Sequence, residues 1–308
     1  MRLITRSDFD GLACATILYE LGIIDDILYV HPKDLQDGKI EVTENDVLAN
    51  VPLVVGCGLW FDHHSSEQER LQLEGKFKGA CEEAPSAAHV INKYYMANEE
   101  YAKKLKKFEE LVKVVDIADS AQYTKDDILN PQGWMMLAFI ADPRTGLGYR
   151  HNFRISNFDL MRSLPWLLRT ESIEKIMSLP DVIERVNVYR AESNKYQEFI
   201  KKHARIEGDA IVLDFRGIKD IPSGNRFIEY TLYPDQNISV RLADGKNREF
   251  VMISVGHSII NRTSSVNVGS LALKYGGGGH KQVGTCQVQY EEADTVIKEI
   301  LEAINFQD

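Results

Sequence analysis

The first 65 residues alternate short β-branched runs with helical patterning, and no other feature of the chain restricts its possible folds so strongly. Arg2 to Ser7 reads as a strand, Leu12 to Leu21 as a helix, Ile27 to His31 as a second strand, and Val51 to Val55 as a further apolar run. Strands separated by helices pair in parallel and need cover on both faces, so an α/β fold built on a parallel sheet is expected. Ligands of such sheets sit just outside the carboxyl ends of the strands, and chemistry is expected immediately after them.

From Pro85 to about Arg205 the pattern is mainly helical, with helices predicted over 87–96, 101–115, 134–140 and 181–203. The last is polar and ends at Glu207-Gly208, as a connecting helix would. Beyond Gly208 the texture turns to strands, at 210–215, 227–233, 238–242 and 250–255. A helix at about 268–275, a strand at 283–290 and a closing helix at 292–304 complete the pattern. At 308 residues about two domains are expected: residues 1–190, a linker helix over 191–207, and a smaller α/β module over 208–308.

Charge narrows the partners. With 36 basic and 46 acidic side chains the formal net charge is −10, which argues against a coat for long nucleic acid. A small phosphorylated ligand stays open, and the acids can be concentrated where they hold a divalent metal. The longest charge-free stretch, Val47 to Phe61, contains Asn50, Pro52, Gly56 and Gly58, so no membrane span is expected. The first residues carry no apolar signal region, and the four cysteines include no Cys-x-x-Cys pair. A cytoplasmic protein with reduced thiols is the expectation.

Four segments could carry chemistry. In Ser7-Asp8-Phe9-Asp10-Gly11 a strand ends in two carboxylates one residue apart, which can supply oxygen ligands to divalent cations, although an Asp-Gly pair is also a common way to start a helix. In Phe61-Asp62-His63-His64 an apolar run ends in a carboxylate and two imidazoles, more polar groups than a core strand can satisfy without a ligand, and Ser65 or Ser66 follows as a candidate helix cap. Asp116 and Asp119 break an apolar helical stretch, Asp119 being either a further ligand or a cap. Gly276 to Gly279 followed by His280 and Lys281 exceeds what a helix terminus needs; it suits either a backbone grip on an anion or a hinge.

Taken together these motifs resemble the DHH phosphoesterase superfamily with its C-terminal DHH-associated domain. The length and two-domain plan are most similar to its nanoRNase, phosphoadenosine-phosphate phosphatase and exopolyphosphatase-related members. The resemblance spans nearly the whole chain and implies a metal-dependent hydrolase, usually with Mn2+ and with Mg2+ as an alternative, that uses metal-activated water against phosphorus. It implies Asp8, Asp10, His63 and Asp119 as metal ligands, with Asp62, His63 and His64 as the catalytic motif. It further implies Gly277, Gly278, Gly279 and His280, together with Arg262, as substrate contacts.

Two positions depart from the family pattern. A histidine usual four residues before the first aspartate is Ile4, with Arg6 the nearest polar residue, and the aspartate expected after the strand preceding the DHH strand is Asn50. One strong metal site is therefore expected at Asp10, His63 and Asp119, with the Asn50 amide as a further ligand, beside a weakened second site where Arg6 restores positive charge and contacts substrate. The expected reaction is hydrolysis of phosphodiester or phosphomonoester bonds in small nucleotides, such as short oligonucleotides or phosphoadenosine phosphate. Short-chain polyphosphatase or pyrophosphatase activity, or a degenerate nucleotide sensor, are the alternatives. A homodimer is compatible with this plan. His89 and the Asp142-Pro143-Arg144 turn read as ordinary structural residues, with Arg144 a secondary candidate for a phosphate contact.

Overall fold

The computed structural model describes residues 1–64, 77–149 and 152–306. The chain divides into two compact units, one of residues 1–123 and 131–189, the other of residues 124–130 and 190–308.

The first unit is built on a five-stranded sheet of order β2-β1-β3-β4-β5, with β1 (Arg2–Thr5), β2 (Asp26–Tyr29), β3 (Asp46–Ala49), β4 (Leu59–Asp62) and β5 (Gly79–Cys81). All four pairings are parallel, as the alternating pattern predicts. Leu3, Ile4, Val47, Leu48, Trp60 and Phe61 are fully buried at its centre. The chain runs outward from β1 to β2 and then crosses back to β3, so the strand order reverses at β1. That reversal opens a crevice at the carboxyl ends of β1, β3 and β4, the place where such sheets bind ligands.

Helix α1 (Phe9–Glu20) starts directly after β1, with Asp8 as its cap: the Gly11 N–H donates to Asp8 Oδ1 at 3.0 Å. A Cβ at Gly11 would stand 2.0 Å from the Arg6 carbonyl oxygen, so only glycine allows α1 to start this close to the strand. Nearly all of α1 is buried, which is why its sequence is apolar on every face. After α2 (Pro32–Gln36), helix α3 (Ala87–Met96) matches its predicted span, with Ser86 as cap. The helix expected over 101–115 is instead α4 (Glu99–Leu105) and α5 (Glu109–Asp119), joined by a 3-10 turn at Lys106–Phe108.

Short α6 (Lys125–Leu129) belongs to the second unit, whereas α7 (Gly133–Ala141), α8 (Asn157–Thr170) and α9 (Ile173–Met177) belong to the first. The long α10 (Pro180–His203) contains the residue where one unit gives way to the other.

The second unit holds a six-stranded sheet of order β10-β11-β9-β8-β7-β6: β6 (Ala204–Glu207), β7 (Ala210–Asp214), β8 (Ile238–Asp244), β9 (Val251–His257), β10 (Gly278–His280) and β11 (Val283–Val288). Only β7 and β8 pair in parallel. With α11 (Ile228–Leu232) and α12 (Val268–Leu273) comes α13 (Ala293–Asn305), which buries Val296, Ile297, Ile300, Leu301 and Ile304 at helical spacing.

Three further expectations change. The Val51 to Val55 run is not a strand: Asn50 turns the chain at φ 56°, Pro52 has no N–H to pair, and the Val51 carbonyl accepts from the Trp60 indole instead. The strand predicted over 227–233 is α11, whose Glu229 is buried against Arg241. The glycine run contributes β10 rather than an open loop. All four cysteines are free, and among the described residues no helix is long and apolar enough to cross a membrane.

Candidate metal centre

Asp10, in the first turn of α1, is 2% exposed. Its carboxylate accepts from two amides at the start of α3, Ala87 N at 2.9 Å and Ala88 N at 2.8 Å. Burial, with the charges of Asp119 and Asp8, pushes the Asp10 carboxyl well above the usual carboxylate range, against the pull of those amides. A divalent cation binding here would have to displace that proton, so its binding would release protons and weaken as pH falls.

Ser86 and Asp116 fix that arrangement from behind. Ser86 Oγ caps α3 by accepting from His89 N at 3.0 Å and donates to Asp116 Oδ1 at 2.6 Å, while Asp116 Oδ2 lies 2.8 Å from His89 Nδ1. Asp116 and Asp119 are three residues apart on α5 and share a face. Removing the Ser86 hydroxyl is expected to cost about 1 kcal/mol of stability. Because the α3 amides hold Asp10, Ser86→Ala should also weaken metal binding by roughly 10-fold, within the range known for residues behind a metal ligand. Calorimetric titration with Mn2+ reads this, and unchanged affinity would show that the amides hold Asp10 without the cap.

The end of β4 supplies the second set of groups. Asp62 is fully buried, and its Oδ1 accepts from His63 N at 2.8 Å and lies 2.6 Å from His64 Nδ1. Its Oδ2 is buried without a partner among the described residues. His63 Nδ1 lies 3.0 Å from the Ala84 carbonyl, and a carbonyl can only accept, so Nδ1 carries the proton. His63 Nε2, which makes no hydrogen bond among the described residues, then lies 3.3 Å from Asp119 Oδ2 and 4.0 Å from Asp10 Oδ2. One ring nitrogen and two carboxylates converge on a space that demands positive charge, a mixed nitrogen and oxygen set that could hold a divalent metal ion. Burial lowers the His64 pKa, but the hydrogen bond and charge of Asp62 outweigh it and leave the imidazole raised, ready to be cationic.

The remaining predicted residues separate into two groups. Asp8 joins neither cluster of converging ligand atoms found among the described residues, which are Asp10-His63-Asp119 and Asp62-His63-His64. Its Oδ1 accepts from the Asn50 amide at 3.1 Å and its Oδ2 lies 3.1 Å from Arg6 Nε. Arg144 grips Asp142 through Nε at 2.7 Å and a terminal nitrogen at 2.9 Å. Burial disfavours its charge, yet Asp142, and beyond it Asp8 and Asp119, raise its pKa. Arg144, the secondary candidate for a phosphate contact in the sequence, is thus a charged side chain already tied to Asp142.

Arg262 and the Gly277 to His280 segment lie in the second unit. Ser65 and Ser66, predicted as a helix cap, fall outside the described residues.

No protein-family model matches the chain, and no curated protein does. Among solved structures, the pGpG-specific phosphodiesterase PggH from Vibrio cholerae is 42% identical, over 99% of this chain and 98% of its own, with a TM-score of 0.79. The chain belongs to the DHH phosphoesterase superfamily and is a hydrolase of that class. Two more distant members share the fold. An exopolyphosphatase-related protein from Bacteroides fragilis is 13% identical over 98% of this chain and 91% of its own, with a TM-score of 0.52. RecJ from Thermus thermophilus, in complex with Mn2+, is 15% identical at a TM-score of 0.57; all of this chain aligns, to 52% of RecJ.

Proposed function

We propose that this chain hydrolyses the phosphodiester bond of a short linear nucleotide of the pGpG kind, with a divalent ion, Mn2+ or Mg2+, held by Asp10, His63 and Asp119. The observation that carries the reading is 42% identity, across essentially the full length of both chains, to a pGpG-specific phosphodiesterase. The convergence of His63 Nε2 with two carboxylates supports the metal. When bound, the ion supplies Lewis acidity and lowers the pKa of water toward neutrality.

The chain's own groups do the rest. Asp62 orients His64 through Nδ1, so the far side of a cationic ring can donate to a non-bridging phosphoryl oxygen. Arg144, held rigid by Asp142, offsets charge on the same phosphate. In the second unit, His280 and Arg262, with the Gly277 to Gly279 backbone, are the residues that the family resemblance would make substrate contacts. Four free thiols suit a reducing, cytoplasmic setting.

The test is turnover of pGpG, longer oligoribonucleotides, phosphoadenosine phosphate and polyphosphate with Mn2+ or Mg2+, followed by chromatography. Water adds to phosphorus as the bond to the leaving 3′ oxygen breaks, so pGpG should yield GMP as sole product. Binding of pGpG without metal and without turnover would replace this reading with a sensor. Preference for polyphosphate would replace it with a polyphosphatase.

A further inference from the structure

We infer that Asp8 is an arginine anchor rather than a metal ligand, and that Arg6 supplies the second positive charge of the centre, so the chain takes one divalent ion. This rests on the metal reading above and sharpens it.

A carboxylate offers about four lone-pair directions. Two are taken at Asp8, both on Oδ1, which accepts from Gly11 N at 3.0 Å and from Asn50 Nδ2 at 3.1 Å, while Oδ2 forms an ion pair with Arg6, whose Nε lies 3.1 Å away. Asn50 is 1% exposed and its backbone N–H is tied to the Phe61 carbonyl at 3.2 Å, so its amide cannot easily leave. A carboxylate at position 50 would face Asp8 oxygen to oxygen across that gap, a contact that only a bridging cation relieves. The amide makes the contact favourable without one.

The neighbouring position closes the other route to an ion. Ile4 is fully buried in β1 and packs with Leu48 and Trp60, offering no nitrogen or oxygen. Arg6 follows β1 directly, is 35% exposed on its side chain and holds its Nε 3.1 Å from Asp8 Oδ2, at the carboxyl end of the strand. Its guanidinium, paired by charge with Asp8, offers N–H donors to an anion. The charges of Asp8 and Arg6 cancel locally, and a phosphate would meet one metal and one guanidinium rather than two metals. Guanidinium matches phosphate through paired hydrogen bonds, which an ion does not.

Metal content per chain, read after dialysis against Mn2+, together with the electron paramagnetic resonance line shape, tests this apart from activity. The native chain should hold one Mn2+ with the spectrum of an isolated ion. Asp8→Asn keeps a competent helix cap and should retain that ion with affinity within about 3-fold, whereas Asp10→Asn should lose it. Arg6→Gln should also keep one ion while its kcat/KM for pGpG falls by roughly 100-fold, the loss expected on removing one charge from a phosphoryl site. Arg6→Gln combined with Asn50→Asp should admit a second, spin-coupled ion. Two coupled ions in the native chain, or loss of an ion in Asp8→Asn, would overturn the inference and leave the hydrolase reading standing. A native chain that binds no Mn2+ would instead remove the metal reading beneath it.

Discussion

Asp10→Asn is expected to abolish pGpG hydrolysis while making the metal-free protein more stable. The activity should fall by roughly 1,000-fold or more, because losing the ion removes several kcal/mol of phosphoryl stabilisation. The stability gain follows from burial. A carboxyl whose folded pKa is raised binds its proton more tightly folded than unfolded. The metal-free native chain therefore loses stability as pH rises from the ordinary carboxylate range through that raised value. Asparagine fills the same space and carries no charge at any pH. In EDTA at neutral pH the variant should melt above the native chain, and the two should converge in acid. Adding Mn2+ should raise the native melting temperature and leave the variant unmoved. A variant that melts below the native chain in EDTA would show that the Ala87 and Ala88 amides need the charged carboxylate more than burial opposes it.

The glycine run offers the other large effect, because its members are not equivalent. A Cβ at Gly277 would lie 2.2 Å from the Thr285 carbonyl oxygen, and one at Gly279 would lie 2.2 Å from that of Val283, at a φ of 154°. Either alanine must push β10 off β11, at a cost of about 2–4 kcal/mol. Gly278 has open space where its Cβ would be, so alanine there should change stability by no more than about 0.5 kcal/mol. If the strand presents its backbone to a phosphate, however, Gly278→Ala should raise KM for pGpG by about 10-fold with kcat little changed. Melting curves separate the structural pair from Gly278, and kinetics on Gly278→Ala alone decide the binding role. An unchanged KM would leave these glycines explained by close strand packing.

The contrast between Gly278 and its neighbours shows where sequence reading stops. Helices at 87–96 and 181–203 were legible because each keeps a local pattern and a clear start, such as Ser86 before α3. Strands β5 and β10 were not, since three residues rich in glycine carry no alternation and gain their identity only from distant partners. The run at 227–233 suits strand or helix equally, and the buried pairing of Glu229 with Arg241 accompanies the helix. At the site, Asp10, His63 and Asp119 stood out as polar breaks in apolar runs, and the structure brings them together. Asp116 stood out beside Asp119, but its partners Ser86 and His89 did not: they are ordinary polar residues, and only the packing of α3 against α5 joins them to it.

The three converging side chains come from residues more than fifty positions apart, on α1, after β4 and at the end of α5. If Asp10, His63 and Asp119 hold an ion as proposed, no single element among the described residues supplies all three, so loading would follow folding rather than guide it. On that reading a nascent chain would stay indifferent to this ion until Asp119 is made and α5 has docked. Metal-dependent protection against proteolysis should therefore arise in one late step, making ion uptake a reporter of completed assembly of the first unit.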